Sequence, residues 1–383
     1  MKVCITGGHL TPALATIDEL RLRHPDWKFF WIGRSKALAG DTEESQESVT
    51  VKSLGIPFYP LSAGRINRMV SIETFLWALY IPFGFIQAFL LCMKETPSII
   101  VSFGGYIALP VVVAGWIFGI PIVSHEQTRA PGLANKIIAL FVRTMCVSFS
   151  EMEQEFSSKK VICTGLPLRR ELLSKKNNTV PFKRVDKPLL YIGGGTTGSF
   201  SMNGLIFDSL SFLLEDFQVV HQTGSQSYEK AIEIKNLLPD EKQANYIPLK
   251  YIETEVLSKV YKECSMYMGR SGANSVYELA VFGIPSIFIP LPWSSRSEQE
   301  ENAKYIEKCG GAIVVHQNAL RSEQIPAIVR SFYAHISGYK MQMIKISPRF
   351  PIDGASRYAD VIEKEYLAAF GNNLNTSMRH KGP

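Results

Sequence analysis

Four side chains between positions 270 and 303 have the types and spacing to hold a polyhydroxylated anion: Arg270, Glu278, Gln299 and Asn302. A guanidinium is a fixed fork for phosphate oxygens, an ionised carboxylate accepts from two vicinal hydroxyls, and a carboxamide both donates and accepts. The stretch RSGANSVYELAVFGIPSIFIPLPWSSRSEQEENA reads as a loop, a helix, a buried strand, and a polar loop entering a second helix. Ligands sit at strand-to-helix junctions of parallel α/β sheets, because helix N-termini offer free N–H groups and the positive end of a dipole. Two such junctions follow one another here. Their side chains suit a ligand with phosphates and many hydroxyls, which points to a nucleotide sugar.

Glycine turns recur at other expected strand ends. Thr6–Pro12 reads T-G-G-H-L-T-P, where Gly7 and Gly8 let a phosphate approach the backbone, Thr11-Pro12 opens a helix, and His9 sits between them. Ser102–Tyr106 is S-F-G-G-Y, with Gly104, Gly105 and Tyr106, and Gly193–Gly198 is G-G-G-T-T-G. Three such turns, two in the first half and one in the second, suggest two ligands with diphosphates, one per domain. His125–Thr128 (H-E-Q-T) and His221–Gly224 (H-Q-T-G) also end strands. Neither has the H-E-x-x-H spacing of a zinc site, and no G-x-G-x-x-G is present, which counts against NAD or FAD. No cofactor and no dedicated metal site are expected.

The elements that must position these groups follow an α/β rhythm. Expected strands are Lys2–Thr6, Lys28–Ile32, Ile99–Phe103, Ile120–Ser124, Thr144–Ser148 and Lys160–Cys163, then Leu189–Ile192, Phe217–His221, Tyr246–Leu249, Ser265–Met268, Ile284–Pro290 and Ala312–Val315, with helices between. A chain of 383 residues suggests two domains. A hydrophilic stretch from Arg170 to Lys187 marks the boundary: 1–168, then 169–351, with a helix at about 352–370 packing back on the first domain and a disordered tail at 371–383. Two Rossmann-like halves with parallel sheets and a cleft between them are expected.

The chain is 46% hydrophobic and 20% charged, with a net charge of +6. No basic cluster with interleaved aromatics appears, so nucleic acid is not an expected partner. The six cysteines form no C-x-x-C pair and read as buried thiols in a reducing compartment. MKVCIT enters a strand directly without a signal peptide, so a cytoplasmic location is expected. Val70–Met93 is the most apolar segment, preceded by Arg65 and Arg68 and interrupted by Glu73, Pro82, Gly84 and Gln87. It reads either as a crossover helix partly buried in the first domain or as a monotopic helix whose Phe75, Trp77, Tyr80 and Phe83 enter an anionic membrane surface. A full span is the least favoured reading.

Taken in order, T-G-G-H…P, G-G-Y, H-E-Q, Gly165–Arg169 (G-x-P-x-R), G-G-x-x-G, H-Q-T-G and R-S-G-A…E with Q-x-x-N-A resemble the MurG family across almost the whole chain. These are the UDP-N-acetylglucosamine:lipid-linked muramyl-pentapeptide transferases of bacterial peptidoglycan synthesis. The resemblance implies a GT-B fold, with the first domain for the undecaprenyl-pyrophosphoryl-MurNAc-pentapeptide acceptor and the second for UDP-GlcNAc. It also implies peripheral attachment to the cytoplasmic side of the membrane. In the implied inverting transfer, the muramyl C4 hydroxyl attacks C1 of GlcNAc while UDP leaves. His9 or Glu126 is the base. Arg169 and Arg270 stand near the donor diphosphate, and Thr196 stands where the family has a serine. Glu278 matches the ribose-binding carboxylate, Gln299 and Asn302 the sugar-reading pair, and Ile252 the uracil pocket.

The sequence departs from the family pattern where Cys4 and Ile5 replace a leading glycine pair, where Thr128 replaces asparagine, and where Glu298 replaces glutamine. The first two touch the acceptor side and the third the sugar-reading loop. Other readings are a related transferase with a different lipid acceptor, such as a diacylglycerol glycosyltransferase, a UDP-GlcNAc 2-epimerase, or a silent sugar-nucleotide-binding subunit.

Overall fold

The first strand, KVCIT, has apolar side chains on both faces, as a strand covered on both sides by helices requires. In the computed structural model, which describes residues 1–35, 44–62, 72–156, 160–174, 182–195, 198–293 and 297–379, Val3 and Ile5 join one core cluster and Cys4 the other. The strand separates the two cores because successive side chains point to opposite faces. The chain divides into two units, Met1–Arg169 with Asp353–Pro383, and Arg170–Ile352.

The first unit holds β1 (Lys2–Thr6), β2 (Lys28–Gly33), β3 (Phe58–Pro60), β4 (Ile99–Ser102), β5 (Ile122–Glu126), β6 (Thr144–Val147) and β7 (Val161–Cys163), paired in the order β3-β2-β1-β4-β5-β6-β7. Every pairing is parallel. The second unit holds β8 (Leu189–Gly193), β9 (Gln218–Gln222), β10 (Tyr246–Leu249), β11 (Met266–Gly269), β12 (Ser286–Phe288) and β13 (Ala312–Val314), in the order β10-β9-β8-β11-β12-β13. Both are Rossmann-like sheets. In each, the connections leave in opposite directions from two adjacent central strands, β1 and β4 in one and β8 and β11 in the other. The crevice at that reversal is where such sheets take ligands.

Three differences from the expected elements have physical causes. β3 is a three-residue edge strand ending in proline, too short to show a period. β5 reaches Glu126 rather than stopping at Ser124, because His125 and Glu126 both find hydrogen bonds inside the fold. β12 is confined to Ser286–Phe288, flanked by Pro285 and Pro290, which lack the N–H a ladder needs.

The apolar segment forms the helix Ile72–Glu95, the crossover between β3 and β4. Ala88 and Cys92 are buried in the core, whereas Phe83, Ile86, Phe89, Leu90 and Met93 are exposed. The side chains of Phe75, Trp77 and Tyr80 lie outside the described residues. Among the described residues, no helix is long and apolar enough to cross a membrane.

The last helix is Gly354–Arg379. Tyr358, Ala359 and Ile362 of this helix are fully buried against the first sheet. The Tyr358 ring packs edge-on to Phe103 at 5.7 Å and against His125 at 5.1 Å. At the helix start, Arg23 donates to the Asp360 carboxylate at 2.6 Å and to the Ser356 hydroxyl at 2.6 Å. Burial of Tyr358 therefore ties the chain end to the floor beneath β4 and β5. Tyr358→Ala is expected to cost about 3–5 kcal/mol, read as a lower denaturant midpoint, while Leu367→Ala at an exposed position changes little. A Tyr358→Ala midpoint equal to that of the parent would contradict this packing.

Candidate active site: paired glycine turns at two sheet reversals

In the first unit, Gly7 and Gly8 leave β1 while Phe103, Gly104 and Gly105 leave β4, its paired neighbour at the reversal. The two turns are stitched together by Phe103 N–H donating to Thr6 O at 2.7 Å and Gly8 N–H to Gly104 O at 3.2 Å. Gly7 has φ of 130°, and a Cβ there would fall 2.7 Å from the Phe103 carbonyl carbon, so only glycine lets the turns meet. Tyr106 follows, partly buried against the second core cluster.

Glu126, at the end of β5, is buried, with 1% exposure. Its Oε1 accepts from the Thr128 N–H and hydroxyl, both at 2.8 Å, and its Oε2 accepts from Asn135 Nδ2 at 2.5 Å. Asn135 Oδ1 in turn accepts from Gly105 N–H at 2.8 Å. Burial pushes the Glu126 carboxyl above its usual range, and these donors oppose the push. Both oxygens are therefore engaged in ordering loops, which places Glu126 as an anchor of the second glycine turn. Thr128 supplies two of its donors, so the departure from asparagine is accommodated. Asn135 was not legible as a site residue, since L-A-N-K carries no local signal.

His9 is the N-cap residue of the helix Leu10–Arg23 and makes no side-chain cap bond. Its Nδ1 lies 2.5 Å from the side-chain amide of Gln127. Burial, then the charge of Arg34, lowers its pKa to about 4, so the imidazole is neutral near pH 7. The two other histidines of the sequence motifs are interior. His125 donates from Nε2 to Gly165 O at 3.0 Å. His221 sits between the Tyr246 hydroxyl at 3.0 Å and Asn203 Oδ1 at 3.1 Å, and burial brings its pKa to about 3. Arg169 is the last residue of the first unit and partly buried.

In the second unit, β8 runs into Gly194-Gly195 and β11 into Arg270-Ser271-Gly272. At Gly269 an added Cβ would lie 2.1 Å from Gly193 O, which forces glycine where β8 and β11 part. Thr196 lies outside the described residues. Arg270 is 3% exposed. It donates to Ser199 Oγ at 2.6 Å, Gln317 Oε1 at 2.5 Å, Ile289 O at 2.9 Å and Pro290 O at 3.2 Å. Burial lowers its pKa to about 10, so it keeps its charge. Its guanidinium fastens Ser199, the N-cap of the helix Phe200–Asp216, to the segment after β12.

Gln299 and Asn302 meet at Ser271. Its hydroxyl donates to Gln299 O at 2.7 Å, and its carbonyl accepts from Asn302 Nδ2 at 3.3 Å. Gln299 Oε1 accepts from Leu291 N–H at 3.0 Å. Asn302 is fully buried, and its Oδ1 has no hydrogen-bond partner among the described residues. Glu278 is buried and accepts from the Tyr261 hydroxyl at 2.9 Å. Ile252 is partly buried in the loop after β10, at the sheet edge. Among the described residues, no three His, Cys, Asp or Glu side chains gather into a set that could hold a metal ion.

Each sheet thus offers a glycine turn and a helix N-terminus at its reversal, an arrangement that binds diphosphates through backbone N–H groups. The Glu126 network has a specific consequence. Glu126→Gln sets an amide nitrogen against the Asn135 amide nitrogen, and turning Asn135 moves the mismatch to Gly105 N–H. The variant is expected to lose about 1–3 kcal/mol in thermal or chemical melts. Adding Asn135→Asp recovers part of the loss, because the new amide then donates to a carboxylate that still accepts from Gly105. A single variant as stable as the parent, or a double variant no better than the single, would contradict the network.

Residues 2–147 match the glycosyltransferase family 28 N-terminal domain, and residues 189–357 match the glycosyltransferase family 28 C-terminal domain. The chain is 32% identical over 345 residues to the UDP-N-acetylglucosamine--N-acetylmuramyl-(pentapeptide) pyrophosphoryl-undecaprenol N-acetylglucosamine transferase of Treponema denticola, covering 87% of this chain and 88% of that protein. The crystal structure of Acinetobacter baumannii MurG superposes with a TM-score of 0.70 at 22% identity, covering 95% of this chain and 99% of that one. The UDP-GlcNAc 2-epimerase of Neisseria meningitidis, bound to UDP-GlcNAc, shares the fold at a TM-score of 0.61 and 14% identity, covering 96% of this chain and 100% of that one. The two matched domains, the identity sustained along the chain and the pair of Rossmann-like sheets agree: the chain is a GT-B protein that belongs to glycosyltransferase family 28, within the MurG family.

Proposed function

We propose that the protein is an inverting glycosyltransferase that moves GlcNAc from UDP-GlcNAc to the C4 hydroxyl of MurNAc in undecaprenyl-pyrophosphoryl-MurNAc-pentapeptide, converting lipid I to lipid II for the cell wall. The observation that carries this reading is the 32% identity with the Treponema denticola transferase along 87% of the chain. The donor is assigned to the second unit. Its diphosphate meets the backbone of the glycine turn after β8 and the N-terminus of the helix Phe200–Asp216. Arg270, by fixing Ser199, holds that N-terminus in place. Arg169 is assigned to the donor diphosphate, and Thr196 to a hydroxyl contact with it. Glu278 takes the ribose hydroxyls, Ile252 lines the base, and Gln299 with Asn302 reads the sugar.

The acceptor diphosphate is assigned to Gly7, Gly8, Gly104, Gly105 and Tyr106. His9 is the favoured base. Its imidazole is neutral, whereas both oxygens of Glu126 are already hydrogen-bonded. In the transfer the C4 oxygen bonds to C1 of GlcNAc and its proton passes to His9. The C1–oxygen bond to UDP breaks, and its electron pair stays on the diphosphate, where backbone N–H groups meet the new charge.

An apolar surface supports a peripheral seat on the cytoplasmic face of the membrane. Phe83, Ile86, Phe89 and Leu90 of the helix Ile72–Glu95 are exposed, as are Trp116, Ile117 and Phe118 in and after the helix Ala108–Ile117. Phe89 packs on Phe118 at 4.6 Å between centroids. Contiguous apolar surface of this kind marks a lipid or protein contact.

Incubation of labelled UDP-GlcNAc with purified protein and lipid I in anionic vesicles is expected to move label to the lipid, with a β-linked product and UDP released. Phe83→Asp is expected to lower transfer to the vesicle-embedded acceptor at least tenfold with the KM for UDP-GlcNAc unchanged. Formation of ManNAc, or UDP release without lipid labelling, overturns the transfer reading. An unchanged Phe83→Asp rate overturns the membrane assignment.

A further inference from the structure

Gln127 is hydrogen-bonded to His9, yet neither the family resemblance nor the site motifs give it a role. It follows Glu126 directly, is 7% exposed, and sets its side-chain amide 2.5 Å from His9 Nδ1. The other end of that amide, Oε1, is buried and has no hydrogen-bond partner among the described residues. A buried carboxamide with one end on an imidazole and the other unsatisfied has two arrangements related by a half-turn. With the nitrogen toward His9, Nδ1 accepts and the imidazole proton must sit on Nε2. With Oε1 toward His9, Nδ1–H donates and the Nε2 lone pair is open.

We propose that Gln127 is a positioning residue that selects the tautomer of His9, and so decides whether its Nε2 donates to the acceptor or takes a proton from it. This rests on the reading of His9 as the base. With the amide nitrogen on Nδ1, Nε2–H holds an acceptor oxygen. With the amide turned, Nε2 receives the proton of the attacking hydroxyl, the C4 oxygen bonds to C1 of GlcNAc, and the electron pair of the broken C1–oxygen bond leaves with UDP. The imidazolium so formed carries N–H on both nitrogens, and only Oε1 of the turned amide offers its Nδ1–H an acceptor from this residue. The previously orphaned Oε1 then gains its hydrogen bond.

The other groups facing His9 do not supply this. Arg34, after β2, acts on it as a positive charge, and His125 of β5 interacts with it electrostatically. His125 gives its Nε2–H to Gly165 O. Glu126 spends its oxygens on Thr128 and Asn135.

The test compares Gln127→Leu and Gln127→Glu in the full-length protein, by 15N NMR of the histidine rings and by transfer kinetics across pH. The His9 signal is assigned by its loss in His9→Gln. The parent is expected to show His9 protonated on Nε2 in the absence of substrates, and Gln127→Glu to move the proton to Nδ1. Gln127→Leu should lower kcat at least tenfold with the KM for UDP-GlcNAc within twofold. In Gln127→Glu, a carboxylate beside the ring favours its charged form, so the acid limb of kcat should rise by about one to two pH units. A residue that merely fills space would leave the tautomer and the pH limb where they are. An unchanged His9 tautomer in both variants, or an unmoved acid limb in Gln127→Glu, overturns the proposal. Failure of the parent to transfer GlcNAc overturns the functional reading instead, and the NMR comparison still decides whether Gln127 governs His9.

Discussion

A carboxylate buried at the end of a parallel strand must be met by donors, and in the first unit those donors are the loops that build the site. Glu126 draws Thr128 and Asn135 onto itself, and Asn135 pins Gly105. Gly104 O then holds Gly8 N–H, so the turn after β1 is fixed by the turn after β4. An unpaired buried carboxylate is costly enough that the loops are not free to wander. Tyr358 of the last helix closes the floor beneath the same strand ends. Packing and charge satisfaction thus both act on the site backbone.

The second unit reaches a comparable result with the opposite charge. Arg270 is buried among carbonyl and hydroxyl oxygens and ties the N-terminus of the helix Phe200–Asp216 to β12 and Gln317. A cation held a short way behind a helix N-terminus adds to the positive end of that helix dipole. An arginine can therefore favour a diphosphate without touching it. In the first unit a buried anion orders the turn, and in the second a buried cation does. In each case the exposed chemistry is left to backbone N–H groups at the sheet reversal.

The strand rhythm was legible because β1 and β8 are apolar runs ended by glycine, and β3, FYP at the sheet edge, was the strand not expected. The glycine turns were legible as tight turns at strand ends, where Gly7, Gly104 and Gly105 take the positive φ that favours glycine. What could not be read was which polar side chains turn inward. The fold gives Arg270 carbonyl and hydroxyl partners and places Glu278 against Tyr261, contacts that residue type alone does not show. Asn135 and Gln127 gain their importance from contacts across the sheet ends, between residues far apart in sequence. Residue type proposes a partner, and only the topology says which partner is near.

The central claim is that the donor diphosphate binds at the reversal between β8 and β11. Hydrogen exchange of backbone amides with and without UDP-GlcNAc tests it most directly. Slowed exchange is predicted in peptides covering 198–206 and 265–275, with little change in peptides covering 100–108 of the first unit. Protection confined to the first unit, or none at 198–206 and 265–275 under saturating UDP-GlcNAc, would contradict it.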